Sequence, residues 1–207
     1  VLMGGDLSGI QDYIFGVSRN SGRGVSKIFR ARSFYLFALT RSVLLEIYRS
    51  LQMYSVCRLI DSGGKFFLLL PNRPETIQKL EKINNSIQDW FRRYFKGVLT
   101  MNLSFSTRLA QQDFQLTHFS TKLDEANEAL ELSKLNKLHS TFATAGSVID
   151  QDYDEMQDGN CAICLVNAAD SASTQIYNEK EGAETPICKE CCDQITYIGT
   201  RLPRAEY

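Results

Sequence analysis

Two short runs that both read as strands, Val56 to Ile60 and Lys65 to Leu70, are separated only by Asp61-Ser62-Gly63-Gly64. A pair so closely joined must fold as an antiparallel hairpin, and the near-continuous apolar run of the second strand suits a central place in a sheet. Segments with helical periodicity lie on both sides of it. Phe34, Phe37, Leu44, Ile47, Tyr48 and Leu51, with a second row at Leu36, Leu39 and Val43, predict a helix over 32–51 with a wide buried face. After Pro71-Asn72, Pro74 fits the first helical position, Ile77, Leu80, Ile83, Ile87, Trp90, Phe91 and Phe95 follow at helical spacing, and Gly97 fits the stop.

Leu99, Met101, Leu103 and Phe105 then alternate with Thr100, Asn102, Ser104 and Ser106, the period of a half-buried strand. With a first strand at the start of the sequence, the order to about Leu109 is βαββαβ. This α+β pattern predicts a ferredoxin-like, palm-type domain over 1–109, with an antiparallel sheet whose first and third strands are central and both helices on one face. The first strand runs into Gly4-Gly5-Asp6-Leu7-Ser8-Gly9-Ile10-Gln11. An acid at a strand end followed by a glycine that admits close backbone approach is a common way for a sheet to meet phosphate or metal. In this topology that stretch and the 61–65 hairpin come together at one edge.

Residues 110–158 are expected to hold a further helix and a linker. Leu123, Ala126, Leu130 and Leu138 form the inner row of the helix, Glu125, Glu128 and Glu131 lie outside, and polar 140–158 is the linker. His118 and His139 lack partners at ligand spacing and read as surface residues. Between the first strand and the first long helix, Arg19, Arg23, Lys27, Arg30 and Arg32 occur with no acid among them. The stretch is either a solvated basic loop or a contact for phosphate or an RNA backbone, which arginine forks match well.

A formal charge of −1 over 207 residues provides no global field toward nucleic acid or membrane. No apolar run approaches the roughly 20 residues needed to span a bilayer. The expectation is a cytoplasmic protein, with this chain a piece of a longer one. Five of the six cysteines crowd into 159–207, four of them as Cys161-Ala-Ile-Cys164 and Cys188-Lys-Glu-Cys191. Two matched pairs of soft thiolates suit a structural, tetrahedral Zn2+ better than a single redox pair would. Cys192, beside Cys191, is an alternative ligand, and Cys57 reads as a small buried hydrophobe.

The stretches Gly5 to Phe15, Arg30 to Leu36 and Ser62 to Asn72 resemble the first palm domain of the large subunit of type III CRISPR effector complexes, most closely the Csm (type III-A) branch. The cysteine pairs and Ile198-Gly199-Thr200-Arg201-Leu202-Pro203 resemble the zinc region that follows it. The resemblance implies an antiviral-defence protein that, on binding target RNA, condenses ATP into cyclic oligoadenylates between two palms and degrades single-stranded DNA. It implies as partners a second palm of the same protein, other effector subunits, guide RNA, target RNA and ATP, with Mg2+ or Mn2+ accompanying ATP only in the complete protein. The nuclease His-Asp pair of the family is absent from this chain, and where the second palm carries Gly-Gly-Asp-Asp this chain has Gly63-Gly64-Lys65-Phe66.

Two-metal nucleotidyl transfer needs carboxylates on both adjacent strands, and a lysine there repels a divalent cation. The resemblance therefore implies a non-catalytic palm that contacts ATP through Asp6, Ser8, Gly9, Gln11, Ser62, Gly63, Gly64 and Lys65, with Arg19, Arg23, Lys27 and Arg30 toward phosphate or RNA. Two competing readings stand beside it. One is a stand-alone cyclase using Asp6 and Asp61, and the other an assembly module that binds no nucleotide.

Overall fold

A computed structural model describes residues 1–16, 24–136, 159–182 and 184–205. The chain forms two compact units, Val1–Gly9 with Phe37–Ile149, and Ile10–Leu36 with Asp150–Tyr207.

The first unit is built on a four-stranded antiparallel sheet of β1 (Leu2–Ser8), β2 (Arg58–Ser62), β3 (Lys65–Leu69) and β4 (Thr100–Thr107), in the order β2-β3-β1-β4. The first and third strands are the central pair, as the βαββαβ pattern requires. The turn between β2 and β3 is tighter than the composition suggested. Asp61 and Ser62 pair with Phe66 and Lys65, leaving only Gly63 and Gly64 in the turn, at φ of +60° and +95°. Two consecutive positive φ values define the type I′ geometry that matches strand twist, and glycine adopts them without penalty. The edge strand starts at Arg58 rather than Val56, because Ser55–Cys57 turns as a 3-10 segment, closed by the Cys57 N–H to the Tyr54 carbonyl.

Helix α1 (Ile10–Phe15) precedes α2 (Val25–Leu51), which begins a full two turns before the expected Arg32. The helical row extends back through Ala31 and Ile28, both buried, and the Gly24 carbonyl accepts from the Lys27 and Ile28 amides. Helix α3 (Pro74–Phe95) starts on Pro74 as read from sequence and buries Leu80, Ile83, Ile87, Phe91 and Phe95.

Pairing parity assigns each strand residue to a face. Met3, Gly5, Leu7, Phe66, Leu68, Met101 and Leu103 share one face, and Leu2, Gly4, Asp6, Ser8, Lys65, Phe67, Thr100 and Asn102 share the other. The first face is apolar. The second is covered by α4 (Leu116–Leu135), whose Ala126 and Leu130 pack with Leu2 and Phe67. That burial joins α4 to the sheet, whereas the sequence placed it in a separate 110–158 segment. It also explains why the polar half of β4 departs from the expected half-exposed pattern, with Thr100 and Asn102 buried. The expected 140–158 linker, like His139, lies outside the described residues, and His118 is exposed.

In the second unit, Ile28, Ile163, Tyr177, Ile187 and Ile195 form a small core around the C-terminal cysteines. Ile10–Leu36 belongs to this unit rather than to the palm, so the units do not follow the expected boundaries at 109 and 158. Helix α5 (Ser171–Glu181) is capped by Asp170, whose carboxylate accepts from the Ser173 amide at 2.8 Å. Helix α6 (Lys189–Asp193) is capped by Cys188, whose sulfur accepts from the Cys191 amide, and leads into a π-helical turn over Gln194–Gly199. Among the described residues no helix is long and apolar enough to cross a membrane.

Candidate functional site

Asp6 lies near the end of β1, opposite Lys65 on β3 and Asn102 on β4. All three side chains belong to the face that α4 covers. Asn102 Nδ2 donates to Ser8 Oγ at 2.9 Å, and Ser8 Oγ stands 3.5 Å from Asp6 Oδ2. The Asp6 carboxylate is also held by α4, with Lys134 Nζ 2.8 Å from Oδ2. The same ammonium lies 2.7 Å from Glu131 Oε1, an oxygen that Lys65 Nζ approaches at 3.9 Å. Burial works against the Lys134 charge, but the Asp6 and Glu131 carboxylates outweigh it and hold the ammonium above its ordinary range. Lys134 in turn pulls the Glu131 carboxyl down.

The expected pairing of Asp6 with Asp61 does not form. Asp61 pairs in register with Phe66, one residue out of phase with Lys65, and so belongs to the opposite face of the sheet. There it is bound by Arg41 of α2 at 2.8 Å and Arg58 at 2.9 Å. Two carboxylates on opposite faces cannot share a pair of metal ions about 4 Å apart, which removes the basis for a stand-alone cyclase on Asp6 and Asp61.

Gly9 ends the strand at φ +91°, and a Cβ there would lie 1.9 Å from the Val98 carbonyl oxygen. Backbone meets backbone at this point, which gives Gly9 a structural reason to be glycine. Ser62, Gly63 and Gly64 form the neighbouring turn, and the Gly64 carbonyl accepts from the Leu7 amide at 3.1 Å. Gln11 is exposed on α1, in the second unit.

Of the expected phosphate or RNA contacts, Arg19 and Arg23 lie outside the described residues. Lys27 and Arg30 have partners within the second unit: Lys27 Nζ is 2.7 Å from Glu181, and Arg30 donates to the Gly199 carbonyl at 3.3 Å. Arg32 is fully buried, donating to the Tyr13 carbonyl and lying over the Tyr13 ring. An open cavity of about 550 Å³ in the same unit is lined by Phe34, Tyr197, Arg201 and Leu202 among others, and by none of the residues expected to bind nucleotide.

The four expected cysteines do converge. The sulfurs of Cys161, Cys164, Cys188 and Cys191 all lie within 4.8 Å of one another, and Cys164 and Cys188 are 3.8 Å apart. Tetrahedral Zn–S bonds of about 2.3 Å place sulfurs about 3.8 Å from each other, so the donor set fits that ion. Contacts with Cys164, Cys188 and Cys191 hold the Cys161 thiol far below its usual range, while the same shared protons push Cys188 and Cys191 up. Metal binding requires these thiols to shed their protons, so it competes with them and strengthens as pH rises. Cys191, not Cys192, takes the fourth position. Cys192 stays outside the cluster with its thiol raised by burial.

Sequence reasoning missed Asn102, Glu131 and Lys134. Asn102 looked like an outward residue of an alternating strand, and its only signal was its register with Asp6. Glu131 and Lys134 sit on the polar side of α4, and nothing local shows that this helix ends over β1.

Comparison with known proteins bears on both units. The model of the family described as Csm1 subunit domain B matches residues 1–150. The chain is 26% identical over 204 residues to the CRISPR system single-strand-specific deoxyribonuclease Cas10/Csm1 (subtype III-A) of Thermococcus onnurineus (strain NA1), covering 99% of this chain and 25% of that protein. It is 26% identical over 172 residues to the protein of the same description from Enterococcus italicus, covering 77% and 22%. The chain thus spans about a quarter of the length of these curated relatives. Among solved structures it is similar to the apo Csm1–Csm4 cassette, with TM-score 0.62, 27% identity and coverage of 70% of this chain and 20% of that one. It is also similar to the cassette in complex with AMPPNP, with TM-score 0.60, 27% identity and coverage of 67% and 19%. The Asp6 strand, the Gly63-Gly64 hairpin and α4 all lie within the matched 150 residues, and the chain belongs to the Csm1 subunit domain B family of type III-A CRISPR systems.

Proposed function

We propose that this chain is the non-catalytic first palm of a type III-A large subunit, binding one ATP at the Asp6 end of the sheet and presenting it to a second, catalytic palm for cyclic oligoadenylate synthesis. The observation that carries this reading is the pairing of Asp6 with Lys65 in register, with Lys134 bound to the same carboxylate. Two ammonium groups occupy the face where a cyclase would gather carboxylates around metal. Their partners Asp6 and Glu131 are thereby engaged by ammonium rather than free to gather a divalent cation, and the ammonium groups are donors that also suit phosphate oxygens. Ser8, Gly9 and the Ser62-Gly63-Gly64 turn offer backbone and hydroxyl groups at the same strand end. The similarity to a cassette solved with AMPPNP and with cA3 supports a nucleotide ligand.

The four-cysteine cluster binds structural Zn2+, which closes a loop too small to bury an adequate core of its own. Mg2+ or Mn2+, where ATP is condensed, supplies Lewis-acid chemistry at the other palm. The second palm, the other effector subunits and guide and target RNA are the partners of the whole protein, acting in the cytoplasm. Calorimetric titration of the full-length protein with ATP tests the reading. Ser8→Ala and Lys65→Gln should each weaken binding severalfold. Unchanged affinity in both variants would instead favour an assembly module.

A further inference from the structure

The proposed ATP site leaves one grouping unexplained. Lys65, on the central strand β3, and Lys134, near the end of α4, come from positions 69 residues apart yet point at one oxygen atom, Glu131 Oε1, at 3.9 and 2.7 Å. Lys134 is committed further, because it also binds Asp6 at 2.8 Å. Lys65 is held loosely, since 3.9 Å is the outer limit of an ion pair, and its head lies over the Phe67 ring at 5.9 Å, which keeps it on this face. The Glu131 side chain is 59% exposed and so free to swing away into water.

Resting on the ATP-binding reading above, we infer that Glu131 is a built-in occupant of a phosphate subsite: its carboxylate sits between Lys65 and Lys134 where an oxygen of a nucleotide's polyphosphate binds, and the incoming phosphate displaces it. A carboxylate and a phosphate oxygen satisfy the same ammonium donors. Every charged group described at this point takes part. Asp6 keeps its bond to Lys134, Ser8 and Asn102 remain hydrogen-bonded to each other, and Lys65 exchanges Glu131 for the ligand. With Glu131 withdrawn, the face carries two ammonium groups against one carboxylate, a net attraction for polyphosphate. With Glu131 in place it is neutral and discourages inorganic anions of low charge.

Inorganic tripolyphosphate, ATP and adenosine, titrated separately into the full-length protein and its variants, test this. Glu131→Gln keeps the shape of the side chain and removes the competing charge. It should tighten tripolyphosphate and ATP by about two- to fivefold, the range carried by a partly exposed ion pair, and leave adenosine unchanged. Lys65→Gln should weaken both phosphates. Glu125→Gln, which removes one negative charge from the same helix at a residue that pairs, among the described residues, with Lys122, should alter none of them. Unchanged or weaker tripolyphosphate binding in Glu131→Gln, or equal tightening in Glu125→Gln, overturns the subsite. If the parent protein binds ATP while Glu131→Gln leaves its affinity unaltered, the subsite fails and the nucleotide-binding palm stands. If the parent binds no ATP but tripolyphosphate tightens as stated, the converse holds.

Discussion

Gly9 and Gly63 look alike in sequence, as glycines beside the proposed nucleotide, yet their substitution by alanine should have very different consequences. Both have positive φ, at +91° and +60°, and an alanine at either position incurs the cost of left-handed backbone, about 1 kcal/mol. At Gly63 nothing lies within 4 Å of an added Cβ, so that cost is the whole effect. At Gly9 the same methyl would stand 1.9 Å from the Val98 carbonyl oxygen, and either β1 or the start of β4 must move to admit it. Forcing backbone apart in a packed region adds about 1–3 kcal/mol. Gly9→Ala should therefore destabilise by about 3 kcal/mol and Gly63→Ala by about 1 kcal/mol. Urea unfolding followed by fluorescence of Trp90 reads the difference as a lower midpoint at unchanged slope. Equal losses in the two variants would refute the close contact between Gly9 and Val98. It would also mean that Gly9 is glycine for a ligand and not for the fold.

Further outcomes follow from the same geometry. Cys191→Ser should abolish binding of one zinc per chain while Cys192→Ser retains it, as measured by metal analysis after dialysis. Equal loss in both would displace Cys191 from the cluster. The Ser173 hydroxyl and amide hold the Asp170 carboxyl below its ordinary 3.8. A depressed pKa contributes stability that is present above the unfolded value and lost as pH falls through the folded one, so the Asp170 share disappears below about pH 3.8. Asp170→Ala should cost about 1 kcal/mol at neutral pH and flatten that acid limb in a pH series of denaturation midpoints. Asn102→Ala removes the bond to Ser8 and leaves that hydroxyl without its donor, and should destabilise by about 1–2 kcal/mol in the same unfolding assay.

Much of this architecture was legible in the sequence because its signals are local. Proline at the start of α3, two glycines in a hairpin and matched cysteine pairs each dictate a backbone geometry without reference to the rest of the chain. The strand order followed from connectivity, and the four sulfurs converge as their spacing required. What escaped depends on packing between distant segments. The start of α2 was misplaced because glycines and basic residues masked the Ile28 and Ala31 row, of which Ile28 packs into the core around the distant C-terminal cysteines. The role of α4 was invisible for a related reason. Its apolar row is short, and only the docking of Ala126 and Leu130 on Leu2 and Phe67 brings Glu131 and Lys134 over Asp6. The Asp6 and Asp61 alternative fell on parity, which a one-residue change in the hairpin register would have reversed.

The central claim is that this palm binds ATP and turns none of it over. The most direct measurement is an ATP titration of the 207-residue chain by calorimetry with magnesium present, with chromatography of the same samples for oligoadenylate. Saturable binding with no product is the predicted result. Metal-dependent product from this chain, or the absence of any binding, would contradict it.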